Sequence, residues 1–220
     1  VADGDYQILC PARDYKRLED GDGGPNTGGM GAVASPQLLE KGLMEQIEKE
    51  IVKPTVEGLQ QDGSSYRGFL YFGLMLTKHG PKVIEYNCRF GDPECQAVMP
   101  LIEGDLAGYL LKAASGVLDR TYFAFRDLWS VCLCLASAGY PASSRSGDVI
   151  IGLETVADAR IYHAGTRLNE AGSFETNGGR VLAIVAQGKT REEAVERVYT
   201  QSAQVTFDGA QKRTDIGRMH

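Results

Sequence analysis

No apolar run in the sequence approaches the roughly 18 residues that a membrane-spanning helix needs, and no charged-then-apolar leader opens it. There is no CxxC pair, no HExxH, no GxSxG elbow, and no glycine loop followed by Lys-Ser/Thr. Zincin, serine-hydrolase and Walker-type nucleotide chemistry therefore lack their usual residues. A basic excess is missing too. Over 220 residues the formal net charge is −6, which argues against a general nucleic-acid or membrane-surface binder. Aromatic residues make up 8% of the chain and are scattered, with no basic interleaving that would build a base-stacking platform. Internal repeats and low-complexity tracts are also absent.

What is present reads as an ordinary globular protein, with 43% hydrophobic and 24% charged residues and a length suited to one or two domains. The five cysteines, at 10, 88, 95, 132 and 134, are odd in number and poorly spaced for zinc or a disulfide framework. They read as reduced, mostly buried thiols of a cytosolic protein. The three histidines offer little. His79 falls in a turn, His220 at the chain end, and His163 reads as a satisfied structural histidine.

Strands and helices can be placed along the chain. Ile8 to Pro11 ends a strand and Ala12 to Asp20 is a polar stretch. Ser35-Pro36 reads as an N-cap with proline at the first helical position. Leu38, Leu39, Leu43, Ile47 and Ile51 recur at helical spacing, so a helix is expected over 36–52, broken or restarted at Pro54. The apolar strand 68–78, the turn His79-Gly80-Pro81 and the run Lys82 to Cys88 make a β-hairpin. Asp92 is expected to cap a helix over 94–101, with another over 104–115. After a boundary near 115–120 come short strands at 131–136, 149–152, 161–163 and 181–186. A capping box, Thr190-Arg-Glu-Glu193, then opens a helix to about 204, and 205–207 reads as a final strand. Strands mixed with single helices, without strict βαβ alternation, point to an α+β fold in both halves.

Two segments carry the chemistry. The first is Gly21 to Gly31, which holds six of the 27 glycines in eleven residues. It is expected to be a tight irregular loop in which glycine lets the backbone approach a ligand closely. Gly29 to Ala34 matches GxGxxA, but no strand precedes it as a dinucleotide site requires. A surface Ω-loop is the plain alternative. Asn26 and Thr27 within the segment, and Asp14, Lys16 and Arg17 before it, suit a carboxylate or phosphate ligand. The second is Glu85-Tyr-Asn87-Cys-Arg89-Phe-Gly-Asp92-Pro-Glu94. On a strand Glu85 and Asn87 share a face, and a carboxylate beside an amide oxygen makes a hard-ligand pair suited to magnesium carrying nucleotide phosphates. Arg89 shares that face if the strand persists, and could meet a transferring phosphoryl group. A solvent-exposed polar hairpin face is the alternative.

The stretches PARDYKRLEDGDGGPNTGGMGA, GFLYFGLMLT and IEYNCRFGDPECQ together resemble the phosphoribosylamine–glycine ligase (glycinamide ribonucleotide synthetase) family. LASAGYP, IYHAGT, TNGGRVLAIVA and RTDIG resemble that family's C-terminal domain, so the likeness covers essentially the whole chain. It implies the C-terminal part of an ATP-grasp catalytic domain over 1–118, followed by a smaller α+β C-terminal domain over 119–220. The implied activity is ligation of glycine to 5-phosphoribosylamine through glycyl phosphate, with ATP becoming ADP and phosphate. By the same resemblance Glu85 and Asn87 hold magnesium or manganese. Arg89 stabilises the transferring phosphoryl group, and Asp92 positions substrate or Arg89. Asp14, Lys16, Asn26, Thr27, Gly28 and Gly29 line the glycine and phosphoribosylamine side.

Two departures from the family pattern stand out. The strand before Glu85 carries no acid, so further metal ligands must come from water, phosphate oxygens or residues elsewhere. The family's N-terminal phosphoribosylamine-binding and nucleotide-clasping domains have no counterpart in the sequence. The isolated chain is therefore expected to be inactive without that missing N-terminal half. A non-catalytic remnant or interaction module of ATP-grasp fold is the competing reading.

Overall fold

In a computed structural model of the chain, which describes residues 1–218, packing forms two compact units that interleave along the sequence. The first comprises residues 1–11, 36–91 and 102–126, and the second residues 12–35, 92–101 and 127 onward. A division at 118/119 follows the order of the chain, whereas these units do not. The strands are β1 (Ala12–Asp14), β2 (Arg17–Glu19), β3 (Gly23–Asn26), β4 (Gly31–Ala34), β5 (Tyr71–Thr77), β6 (Gly80–Asn87), β7 (Ile102–Gly104), β8 (Phe123–Phe125), β9 (Trp129–Ala136), β10 (Arg160–His163), β11 (Thr166–Leu168), β12 (Phe174–Thr176) and β13 (Arg180–Gly188). The helices are α1 (Lys41–Ile47), α2 (Lys53–Gln61), α3 (Glu94–Val98), α4 (Leu106–Ala114) and α5 (Arg191–Ser202). Helices beside antiparallel sheets make the class α+β, as expected.

The second unit is built on an antiparallel sheet of order β1-β4-β9-β13-β10. Its central strands are buried at nearly every position, from Ser130 to Ala136 and from Val181 to Ala186. A strand buried at consecutive positions must be covered on both faces, and helices α3 and α5 pack against this sheet. Thr190 caps α5 by accepting from the Glu193 N–H at 3.2 Å, while Glu193 Oε2 accepts from the Lys189 N–H at 2.8 Å. The capping box therefore forms as the sequence predicts, with its return bond displaced by one residue.

In the first unit β5 and β6 form the expected hairpin, with a register shift between Gly73 and Leu74. The predicted helix over 36–52 begins only at Lys41, and Ser35 makes no cap, because Ser35 closes the buried end of β4 and Pro36 lies in a turn. Pro54 does not break the helix. A π-helical segment, Glu48–Val52, joins α1 to α2. Widening the turn before a proline relieves the clash its ring would make with the preceding turn.

Four other expectations are corrected. The glycine-rich segment is a loop only over 27–30. Gly23–Asn26 pairs with Arg17–Glu19, and Gly31–Ala34 is a buried strand of the central sheet. The polar stretch from Ala12 is likewise two short strands. Residues 149–152 and 205–207 meet only through an isolated bridge, Ile151 to Thr206. The five cysteines are free thiols, but only Cys132 and Cys134 are buried, and Cys88 is exposed. Among the described residues no helix is long and apolar enough to cross a membrane. His163 bonds Thr166 Oγ1 through Nδ1 at 3.0 Å and stacks on Phe174, and His220 lies outside the described residues.

Candidate functional site

The sequence-predicted residues fall into two groups, one in each unit. In the first unit, Glu85 and Asn87 lie two residues apart on β6, so their side chains leave the same face. Glu85 stands opposite Gly73 and Asn87 opposite Tyr71. A Cβ at position 73 would lie 2.7 Å from Glu85 Cγ, so the glycine leaves the room that the carboxylate stem occupies. Two hard oxygen donors fit a divalent cation, but supply only part of the six or more ligands such ions take. No group of three or more potential ligands occurs among the described residues. β6 ends at Asn87, so the strand does not carry Arg89 onto that face. Its Nη1 donates to the Phe90 carbonyl at 2.7 Å.

The second unit brings together Asp14, Lys16, Thr27, Gly28, Gly29 and Asp92. β1 pairs with β4, which sets Asp14 opposite Ala32. The segment between is tied down locally. Thr27 N–H donates to the Lys16 carbonyl at 2.7 Å, and Met30 N–H to that of Tyr15 at 2.8 Å. Thr27 Oγ1 donates to the Lys16 carbonyl and accepts from the Gly29 N–H, at 2.8 and 2.9 Å. Asn26 lies apart in the β2–β3 ribbon, opposite Arg17. Gly29 has φ +115°, and a Cβ there would lie 2.4 Å from Pro93 Cδ and 2.8 Å from Asp14 Oδ1. A Cβ at Gly31 would meet the Cys132 carbonyl at 2.5 Å. These two glycines are thus required by close packing of the protein on itself, a different reason from approach to a ligand.

Asp92 does not cap α3. Pro93 occupies the N-cap position, and the Asp92 carboxylate accepts from Gln96 Nε2 at 2.8 Å and from Arg180 at 2.7 Å. The Asp14 side chain is only 8% exposed and meets the Lys16 ammonium at 2.9 Å. Glu94, the first residue of α3, is also buried. Burial, with the Glu94 charge adding to it, pushes the Asp14 carboxyl up to about 6, against the opposing pull of Lys16 and the Tyr15 N–H. Two buried carboxyl groups that feel each other's charge, beside a half-exposed ammonium, favour a nearby cation or a retained proton.

That shift has a measurable consequence. With a folded pKa above the unfolded one, the folded form binds more protons between the two values. The stabilisation is full below about pH 4, falls as pH rises, and is gone above about 6. The gap corresponds to about 3 kcal/mol at ~1.4 kcal/mol per unit. Asp14→Asn should therefore gain stability relative to the unsubstituted chain between pH 4 and pH 7, read from urea midpoints. Parallel pH profiles would show that Asp14 is not the titrating group.

Sequence reasoning missed three residues here. Glu94 stood inside a quoted motif, directly after the proline. Arg180 and Tyr140, whose hydroxyl accepts from the Gly28 N–H at 2.8 Å, stood inside TNGGRVLAIVA and LASAGYP, but nothing in those stretches tied them to Gly28 or Asp92.

The comparisons with known proteins bear on both groups. Residues 1–95 match the phosphoribosylglycinamide synthetase ATP-grasp (A) domain, and residues 130–219 match the C domain of the same synthetase. The chain belongs to the phosphoribosylglycinamide synthetase family. It is 44% identical over 208 residues to the phosphoribosylamine–glycine ligase of Caldanaerobacter subterraneus subsp. tengcongensis, covering 94% of this chain and 50% of that protein. The Salmonella typhimurium ligase is 42% identical over 221 residues, covering 99% and 52%. A crystal structure of the Thermotoga maritima ligase superposes with a TM-score of 0.86 at 37% identity, over 98% of this chain and 53% of that one. The chain thus spans about half the length of the curated relatives it matches. Within the phosphoribosylglycinamide synthetase family match, the Glu85–Asn87 pair lies in the ATP-grasp domain segment, and Arg180 and Tyr140 in the C-domain segment.

Proposed function

We propose that the chain forms part of an ATP-dependent phosphoribosylamine–glycine ligase of purine biosynthesis, located in the cytoplasm and dependent on magnesium or manganese. On this reading residues 1–118 would serve the ATP-grasp part and 119–220 the C-terminal domain. The observation that carries the reading is the Glu85–Asn87 pair on one face of β6, with Gly73 opposite leaving room for the carboxylate. These two residues would hold the divalent cation, which offsets the charge of the ATP phosphates when bound. Arg89 would add a positive charge toward the transferring phosphoryl group. Asp14, Lys16, Thr27, Gly28, Gly29 and Asp92 would receive glycine and 5-phosphoribosylamine, the buried Asp14 carboxyl serving one of their amino groups.

In the reaction, an oxygen of glycine's carboxylate attacks the γ-phosphorus and ADP leaves. The amine of phosphoribosylamine then attacks the acyl carbon of glycyl phosphate and expels phosphate. The oxygen that joined glycine to phosphorus departs with that phosphate. A protein of the relatives' full length that carries this chain should therefore release ADP only when both glycine and phosphoribosylamine are present. Glycine labelled with ¹⁸O in its carboxylate should pass one label to phosphate. Unlabelled phosphate, or ADP release indifferent to glycine, would overturn the reading. The 220-residue chain alone should show no turnover.

A further inference from the structure

Gly28 and Gly29 have no side chains with which to fix the turn they form, and glycine backbone has the widest conformational freedom to lose. Two side chains from far along the same unit hold that backbone from outside. Tyr140 Oη accepts from the Gly28 N–H at 2.8 Å. Arg180 Nη1 donates to the carbonyls of Gly28, Gly29 and Asp92, at 3.0, 3.4 and 3.1 Å. Its Nη2 donates to Asp92 Oδ2 at 2.7 Å. One planar guanidinium, with its side chain 20% exposed, thus bonds both glycine peptides and both the backbone and carboxylate of Asp92.

The surroundings are shaped to this arrangement. A Cβ on Gly179 would lie 2.4 Å from the Tyr140 ring, and one on Gly28 would lie 3.1 Å from Arg180 Cζ. Burying a guanidinium is costly unless its donors are matched, and an apolar residue would serve a purely packing role better. The fork of donors is what a lysine at this position cannot reproduce.

We propose that Arg180 and Tyr140 are positioning residues for the amine-substrate loop. They fix the direction of the Gly28 and Gly29 peptide groups and of the Asp92 carboxylate. Through these they set the affinity for the two amine-bearing substrates while leaving ATP affinity unchanged. The naming of those substrates rests on the ligase reading; the geometry of the loop does not.

The test uses Arg180→Met, Arg180→Lys and Tyr140→Phe. In the chain itself, amide hydrogen exchange at Gly28 and Gly29 should accelerate at least about tenfold in Arg180→Met and Tyr140→Phe, since each loses a bond that holds this backbone. Exchange in β13 and α5 should stay unchanged. In the full-length protein, KM for glycine and phosphoribosylamine should rise about 10- to 100-fold in Arg180→Met, with KM for ATP within about twofold. Arg180→Lys should recover only part of that loss. Unchanged exchange at Gly28 and Gly29 overturns the proposal whatever the enzyme does. Faster exchange with unaltered substrate KM reduces both residues to packing and also overturns it. Failure of the ligase reading itself would appear elsewhere, as absence of turnover in the unsubstituted full-length protein, and the exchange result would still decide whether these side chains hold the loop.

Discussion

Glu85→Ala, made in a protein of the relatives' full length that carries this chain, is expected to lower glycine-dependent ADP release by on the order of 10³-fold. Metal coordination at a phosphoryl-transfer site supplies several kcal/mol of charge stabilisation, and about 4 kcal/mol corresponds to that factor. The loss should lie in kcat and should not come from unfolding. Glu85 is exposed on β6, so truncating it opens no cavity in the core. The melting temperature should move by no more than a few degrees. Asn87→Ala should lose less, about 10- to 100-fold, because a neutral amide oxygen binds a divalent cation less strongly than a carboxylate. Raising magnesium or manganese should recover part of the Asn87→Ala loss and little of the Glu85→Ala loss. Near-normal turnover in Glu85→Ala would remove the metal assignment.

Arg213→Ala is expected to be the most damaging substitution for stability. The Arg213 side chain is 1% exposed, and its Nε and Nη2 bond both oxygens of Asp215 at 2.7 and 2.6 Å. Nη1 reaches Asp22 Oδ1 at 2.9 Å and the Arg17 carbonyl at 3.1 Å. Asp215 also accepts from the Gly21 N–H at 2.9 Å, and Asp20 receives both the N–H and the hydroxyl of Thr214. The guanidinium lies 5.2 Å from the Tyr15 ring centroid, and the Tyr15 hydroxyl accepts from the Gly217 N–H. The carboxylates hold Arg213 well above its ordinary arginine value. Removing it leaves Asp215, 7% exposed, as a buried charge without its partner. Breaking such a pair costs about 3–5 kcal/mol, or a fall of roughly 10 °C or more for a unit of this size. Arg213→Met combined with Asp215→Leu should recover most of the loss, because replacing both partners by apolar groups removes the stranded charge. Thermal melts of the single and double variants decide it. A mild single variant would show that the ribbon does not depend on this pair.

The legible parts of the fold were those whose pattern is local. The β5–β6 hairpin announced itself by two apolar runs around His-Gly-Pro, and α5 by its capping box. β1 to β4 were missed because nothing local marks them. Gly31 to Ala34 is buried at all four positions, so the alternation that marks a half-exposed strand is absent. Its neighbour β9 lies far along the chain. The site divided in the same way. Glu85 and Asn87 could be paired from strand period alone, and the structure puts both on β6. Arg89 could not be placed, because its position depends on where the strand stops. Asp92 read as a cap because Asp-Pro-Glu is a frequent helix opening, whereas its carboxylate is taken by Gln96 and Arg180. The loop's holders, Arg180 and Tyr140, lie more than 100 residues from Gly28. Only the folded sheet brings them to it.

The pairing of β4 with β9 sets a schedule for biosynthesis. Val33 finds its partner Val131 only after roughly 100 further residues have been added, which at about 5–20 residues per second takes on the order of ten seconds. The outer neighbour β1 is made first, but β1 and β4 without β9 form a two-stranded ribbon, too small to persist alone in water. Gly31-Ala-Val-Ala34 is suited to this wait, since small side chains beside glycines offer a chaperone or a neighbouring nascent chain little to grip. The small residues at which β4 meets β9, with Gly31 against the Cys132 carbonyl, thus also leave the unfinished polypeptide little apolar side chain to expose.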